Sequence, residues 1–273
     1  MVVDFHTHIF PEQIASRTLE KLSAMSHEPY YTGATIETLF HSMKQGGVDL
    51  SIALPVVTAP KQFDSINRFA AQVNATYYDA KHHTGILSFG GIHPDCEDYK
   101  GKLRQIADMG FRGIKLHPVY QLVQFDDLRY LHIVDYASEL GLVTVTHAGY
   151  DVGFPGADFV SPAAARRLID AVHPEQLVLA HVGGYDQWEE VEELLIGQDV
   201  YFDLAFSMGK MSDDQLVRMI RSHGADRFLF ATDSPWLDQK EQVAYLDALP
   251  LTEKEKQQIY GENAMKLLQG SKK

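Results

Sequence analysis

The chain has 273 residues, of which 45% are apolar, 11% aromatic and 22% charged, with a formal charge of −13. This is the composition of a folded protein with a large core, and it excludes a disordered, collagenous or disulfide-scaffold chain. The acidic excess argues against nucleic acid and anionic membranes as partners, and the lone cysteine, Cys96, leaves no intrachain disulfide.

The sequence opens on Met1-Val2-Val3-Asp4 with no basic, apolar leader, and no apolar run nears the roughly 18 residues of a spanning helix. A soluble, cytoplasmic protein is expected. Short runs rich in Val, Ile, Leu and Phe predict strands over 2–8, 50–55, 85–92, 113–117, 143–147, 177–181, 200–204 and 228–233. Amphipathic helices are predicted over 36–45, 65–81, 100–109, 127–140, 162–172, 188–196 and 214–223, while 10–33 reads as a long first loop. Ser161 before Pro162 supplies a helix cap, and Thr252 with Glu255 forms a capping box that opens a last helix, with Ile259, Met265 and Leu268 turned to the barrel wall. No linker, repeat or low-complexity tract interrupts the chain, so residues 1–273 read as one domain.

Strand–helix alternation is the mark of βα units. Eight of them can close into an α/β fold of the (β/α)8 TIM-barrel type; an open doubly wound sheet shares the pattern, but no GxGxxG or GxxxxGK[ST] turn follows the first strand.

The polar residues favour the barrel. His6, His8, His93, His117, His147 and His181 fall at carboxyl ends of predicted strands and Asp233 ends the last, and that face carries barrel active sites. His6 and His8 share a side of their strand by alternation. His6, His8, His147, His181 and Asp233 together suit a divalent cation, Zn²⁺ being expected, because imidazole and carboxylate are its ligands. Lys115 and His117 share parity on the fourth strand. Lys115 could be carboxylated and bridge two metals, remain ammonium and bind a substrate carboxylate, or pair with an inward acid such as Asp4. His93 could touch substrate or shape a turn. His27, His41, His82, His83, His132, His173 and His223 fall on helices or loops and read as structural. Tyr120, Tyr150, Phe154, Tyr185, Phe206 and Trp236 could wall a flat, unsaturated substrate.

Asp4-Phe5-His6-Thr7-His8, Gly113-Ile114-Lys115-Leu116-His117-Pro118, Thr146-His147-Ala148-Gly149, Leu179-Ala180-His181-Val182-Gly183-Gly184 and Ala231-Thr232-Asp233-Ser234-Pro235-Trp236 together resemble the amidohydrolase superfamily. More narrowly they resemble its amidohydrolase 2 branch, which includes aminocarboxymuconate-semialdehyde decarboxylase and lactone hydrolases; Tyr260-Gly261-Glu262-Asn263-Ala264 resembles the branch's C-terminal helix. The resemblance implies a distorted (β/α)8 barrel in which His6, His8, His147 and Asp233 hold one divalent metal, usually zinc. It places His181 beside a metal-bound water as a further ligand or an orienting base. Members with a second metal use a bridging group on the fourth strand, where Lys115 stands. Many relatives are dimers, so a homodimer is admitted.

The expected chemistry is hydrolysis of a lactone, cyclic amide or similar carbonyl compound, with Asp233 and His181 as catalytic residues and Lys115, His117, His93 and Trp236 as second-metal or substrate contacts. The metal lowers the pKa of bound water toward about 7, and Asp233 takes its proton. Non-oxidative decarboxylation of a small unsaturated or aromatic acid is the alternative, and a non-catalytic, metal-containing barrel that binds a small acid is a third reading.

Overall fold

A computed structural model describes residues 1–270. Its strands are β1 (Val3–Thr7), β2 (Leu50–Ala53), β3 (Tyr78–Asp79), β4 (Thr84–Ser88), β5 (Gly90–Gly91), β6 (Gly113–Leu116), β7 (Val143–Thr146), β8 (Leu177–Leu179), β9 (Tyr201–Asp203) and β10 (Phe228–Leu229). Apart from the short antiparallel β3, which edges β4, they pair in parallel in two sets, β1-β2-β4 and β5 to β10.

Backbone hydrogen bonds join the two sets into a closed barrel. β4 runs into β5 through Phe89, whose N–H donates to the Ala53 carbonyl (2.9 Å), so the pair forms one stave, as the predicted strand over 85–92 requires. At the other seam, Phe5 N–H donates to Phe230 (2.9 Å), Asp233 N–H to His6 (2.9 Å) and His8 N–H to Ser234 (2.6 Å). The expected (β/α)8 architecture is therefore the observed one.

The helices are α1 (Glu12–Ser26), α2 (Ile36–Gly46), α3 (Phe63–Tyr77), α4 (Tyr99–Asp108), α5 (Pro118–Gln121), α6 (Leu128–Glu139), α7 (Pro162–Val172), α8 (Trp188–Leu194), α9 (Asp213–His223), α10 (Gln239–Ala248), α11 (Glu253–Gln257) and α12 (Asn263–Gln269). Three of these, α1, the single turn α5 and α10, are absent from the predicted set. In α1 only Ala15 and Leu19 are buried, and α10 buries Gln239 and Gln242 beside Leu246, so neither carries an apolar stripe to read.

Alternation sorts the strand residues into two layers. Val3, Phe5, Ile52, Phe89, Val145, Val178 and Leu229 fill the barrel, while Ile114, Leu116, Leu179, Phe228 and Phe230 pack outward with helix residues such as Leu39, Ile106, Ile133 and Ile220. The last helix sits as expected: Ile259 and Leu268 are buried and Met265 packs half-buried beside them.

β1 breaks the alternation. Asp4 pairs with Ser51 and Thr7 with Ala53, so three steps of β1 match two of β2, the mark of a one-residue bulge. A bulge reverses which side the following residues face. Asp4 consequently faces α10, accepting from Thr232 N–H (3.0 Å), Thr232 Oγ1 (2.6 Å) and Gln239 Nε2 (2.7 Å), whereas His6 turns inward. Burial pushes the Asp4 carboxyl up to about 6. The expected option of a Lys115–Asp4 pair is thus corrected, because the bulge puts the two side chains on opposite faces of the barrel wall.

Gly149 secures the chain just past β7. Its φ is +82°, and it bridges to Tyr185, so an added Cβ would sit inside the Tyr185 backbone. Gly149→Ala is expected to cost at least about 2 kcal/mol, against about 1 kcal/mol for Gly110→Ala, where φ is +80° but the space is open. Denaturant unfolding of both variants tests this; equal losses would contradict the packing constraint.

Candidate functional site

The carboxyl ends of the staves surround a cavity of about 240 Å³. That is below the range of about 300–1,000 Å³ usual for drug-sized ligands and suits a single small ring. Its apolar walls include Phe10, Tyr120, Tyr150, Tyr185, Phe206 and Trp236, and Lys115 is the one lysine or arginine among its described lining residues. Phe154 lies behind Tyr120, edge to face at 5.0 Å, rather than on the wall.

The polar floor is built from imidazoles whose inner nitrogens are tied down. His6 Nδ1 meets Asp203 Oδ2 at 2.8 Å, and His8 Nδ1 meets the Leu54 carbonyl at 2.9 Å. Both partners are acceptors, so Nδ1 carries the hydrogen and the Nε2 lone pair faces the cavity. Asp233 closes this group, its Oδ1 lying 3.1 Å from His8 Nε2 and 3.5 Å from His6 Nε2. Burial raises the Asp233 carboxyl, but the His6 and His8 imidazoles outweigh it and hold it well below the usual carboxylate range. One ligand atom from each of His6, His8 and Asp233 falls within a 4.8 Å span. Two imidazoles and a carboxylate at that spacing can hold a divalent cation.

His181 follows by a different device. Alternation with Leu177 and Leu179 would face it outward; instead His181 and Val182 adopt left-handed φ of 59° and 56°, turning the ring inward. Asp233 (62°) and Phe206 (53°) share that conformation. Such strain in non-glycine residues gathers where a site demands it. His181 N–H donates to Asp203 Oδ1 (2.9 Å) and its Nδ1 to the Ala205 carbonyl (2.8 Å), so one carboxylate positions both His6 and His181.

From His6 the imidazoles form a row, with ring centres 5.4 Å apart to His181, 4.8 Å on to His147 and 4.4 Å on to His117. His147 Nδ1 lies 3.0 Å from His181 Nε2, while its Nε2 is buried with no hydrogen-bond partner. His147 therefore stands beside the His6–His8–Asp233 group rather than within its span; it falls in a second group with His117 and Asp151. Lys115, 1% exposed, reaches His6 Nε2 at 3.1 Å. Burial pulls its ammonium down to about 8, against the pull of Asp203 and Asp233.

His93 is not brought to the cavity. Its Nδ1 accepts from Asp95 N–H (3.1 Å) and holds a turn. The structural histidines are placed as expected: His27 and His173 cap helices in left-handed conformation, His132 stacks on Tyr99, and His223 stacks on Phe202. Two acids escaped the sequence reading. Asp203 shares inward parity with Tyr201 within an apolar strand, which was a usable signal; Asp151 lies in a loop with no periodicity to expose it.

A family model for amidohydrolases matches residues 3–270. The chain belongs to the amidohydrolase family. The fold is shared with solved structures over nearly the whole of each chain. An uncharacterised TIM-barrel protein from Bordetella bronchiseptica superposes with a TM-score of 0.79 at 17% identity, covering 98% of each chain. A 2,6-dihydroxybenzoate decarboxylase from Rhizobium gives 0.73 at 17% identity, again over 98% of each chain. A dihydroxybenzoic acid decarboxylase from Polaromonas, solved with manganese and 2-nitroresorcinol, gives 0.72 at 15% identity, covering 98% of this chain and 96% of its own. No curated protein sequence matches the chain. None of the helices among the described residues is long and apolar enough to cross a membrane.

Burial holds His6, His117 and His147 well below the ordinary imidazole range, so the fold keeps them neutral. The unfolded chain binds protons at these sites first as pH falls, so each removes about 1.4 kcal/mol of stability per pH unit below roughly 6.5. Metal-free protein is expected to lose stability steeply between about pH 6.5 and 5 in denaturant titrations. A flat profile in that window would show the imidazoles to be freely protonated.

Proposed function

We propose that this barrel is a divalent-metal-dependent enzyme that removes CO₂ non-oxidatively from a small unsaturated or aromatic carboxylic acid. The observation that carries the reading is Lys115, a buried ammonium 3.1 Å from His6 Nε2 at the polar floor of a cavity whose walls are largely aromatic and apolar. His6, His8 and Asp233 would hold the ion, with His147 and His181 beside it; zinc suits this donor set, and a structural neighbour carries manganese. When bound, the metal supplies positive charge that orients the substrate's oxygen atoms. Lys115 pairs with the carboxylate, and the apolar walls exclude the water that would otherwise stabilise that charge. Loss of CO₂ breaks the carbon–carbon bond and leaves its electron pair on the substrate carbon. Lys115, pulled to about 8, holds a proton that can pass from Nζ to that carbon near neutral pH.

Hydrolysis is the second reading, and Asp233 favours it. Its carboxylate is kept ionised 3.1 Å from His8 Nε2, where it can accept a proton from an attacking water and return it to a leaving group while His181 orients the water. Both readings place the chemistry within one barrel domain acting on a small molecule.

Elemental analysis of protein purified without added metal, followed by incubation with carboxylic acids and lactones in ¹⁸O-labelled water, separates them. CO₂ release without ¹⁸O in the product is expected, with Asp233→Asn and Lys115→Met each lowering the rate by about 10²-fold or more and leaving the melting temperature near the parent's. Incorporated ¹⁸O would select hydrolysis; bound metal without turnover of either class would favour a binding protein.

A further inference from the structure

The far end of the imidazole row carries a polar pair that the reaction above does not use. His117 lies on the cavity wall, and Asp151, from the loop after β7, faces it with Oδ2 3.6 Å from His117 Nε2. Both side chains are at least nine-tenths buried. Their remaining valences are committed elsewhere. His117 Nδ1 accepts from Tyr120 N–H (3.4 Å), which places the ring hydrogen on Nε2, and Asp151 Oδ1 accepts from Gly153 N–H (2.8 Å). What faces the cavity is therefore one N–H donor and one carboxylate acceptor, separated by more than a strong hydrogen bond.

We infer that His117 Nε2 and Asp151 Oδ2 form a clasp for a hydroxyl group on the substrate ring, distinct from the carboxylate held at Lys115. A hydroxyl matches both partners through a single atom, since its oxygen accepts from Nε2–H while its hydrogen is donated to Oδ2. A second carboxylate would be repelled by Asp151. An ammonium group could not accept from His117. A metal ion would need the Nε2 lone pair that the Tyr120 contact removes. Ring packing supports the placement: Tyr120 meets His117 edge to face at 4.4 Å and His147 stacks on its other side at 4.4 Å, so the imidazole is fixed in orientation. The substrate class narrows to a small hydroxylated ring acid. This rests on the proposed reading of the cavity as a metal-dependent site for carboxylic acids.

The test is calorimetric binding of benzoate and of its 2-, 3- and 4-hydroxy derivatives to manganese-loaded protein. One hydroxy isomer is expected to bind at least about tenfold more tightly than benzoate. Asp151→Asn and His117→Phe, which keep volume and ring stacking, should each erase that preference and leave benzoate affinity unchanged. The clasp is overturned if no isomer outbinds benzoate, if the variants keep the preference, or if they weaken all four acids alike. It is also overturned if the wild type takes up a second equivalent of manganese that Asp151→Asn loses, which would make the pair a cation site. Metal content measured in the same samples separates the two levels. One tightly held ion with no hydroxyl preference removes the clasp alone, whereas no bound ion and no acid binding removes the underlying reading.

Discussion

The geometry at the mouth of this barrel depends on hydrogen bonds made behind the rings. An imidazole presents a lone pair to a cavity only if its other nitrogen keeps the hydrogen, and here Asp203, the Leu54 carbonyl and the Ala205 carbonyl hold the Nδ1 hydrogens of His6, His8 and His181. Asp203 acts twice, through His6 Nδ1 and through the backbone N–H of His181, so the first and sixth staves of the barrel share one anchor. Burial pushes its own carboxyl up, with His181 and Lys115 pulling against that shift. The anchor is therefore a buried acid whose orientation is fixed by the groups it positions.

Backbone irregularity does what regular strands cannot. A straight β1 would put Asp4 and His6 on one face; the bulge instead sends Asp4 into a structural network with Thr232 and Gln239 and delivers His6 to the cavity. Left-handed backbone at His181 and Val182, at Phe206 and at Asp233 brings the His181, Phe206 and Asp233 side chains to the cavity at the ends of three staves. Each such position costs of order 1–3 kcal/mol. Grouping imidazoles, an ammonium and the carboxylates of Asp151, Asp203 and Asp233 at one buried site adds a desolvation cost that a bound cation would offset.

Much of this was legible in the sequence. The Val- and Ile-rich runs marked the staves because buried parallel strands read as continuous apolar segments, and histidines at their ends marked the face on which the cavity opens. His6 and His8 kept their shared direction because the bulge lies before both of them, whereas the inward assignment of Asp4 failed because it lies on the other side of the bulge. His93 was ambiguous from sequence because a histidine before a proline serves a turn as readily as a ligand, and its ring nitrogen is used by the Asp95 N–H. Asp203 could have been found by asking why an acid shares parity with Tyr201 inside an apolar strand; Asp151 could not, since a loop residue's position is set by tertiary contacts alone.

The central claim is that His6, His8 and Asp233 converge on one divalent cation. Crystals of protein purified without added metal, measured on both sides of the absorption edge of the metal found by elemental analysis, test it directly. The account predicts one anomalous peak within about 2.0–2.2 Å of His6 Nε2, His8 Nε2 and an Asp233 oxygen. A map with no peak there, or with its only peak between His117 and Asp151, would contradict it.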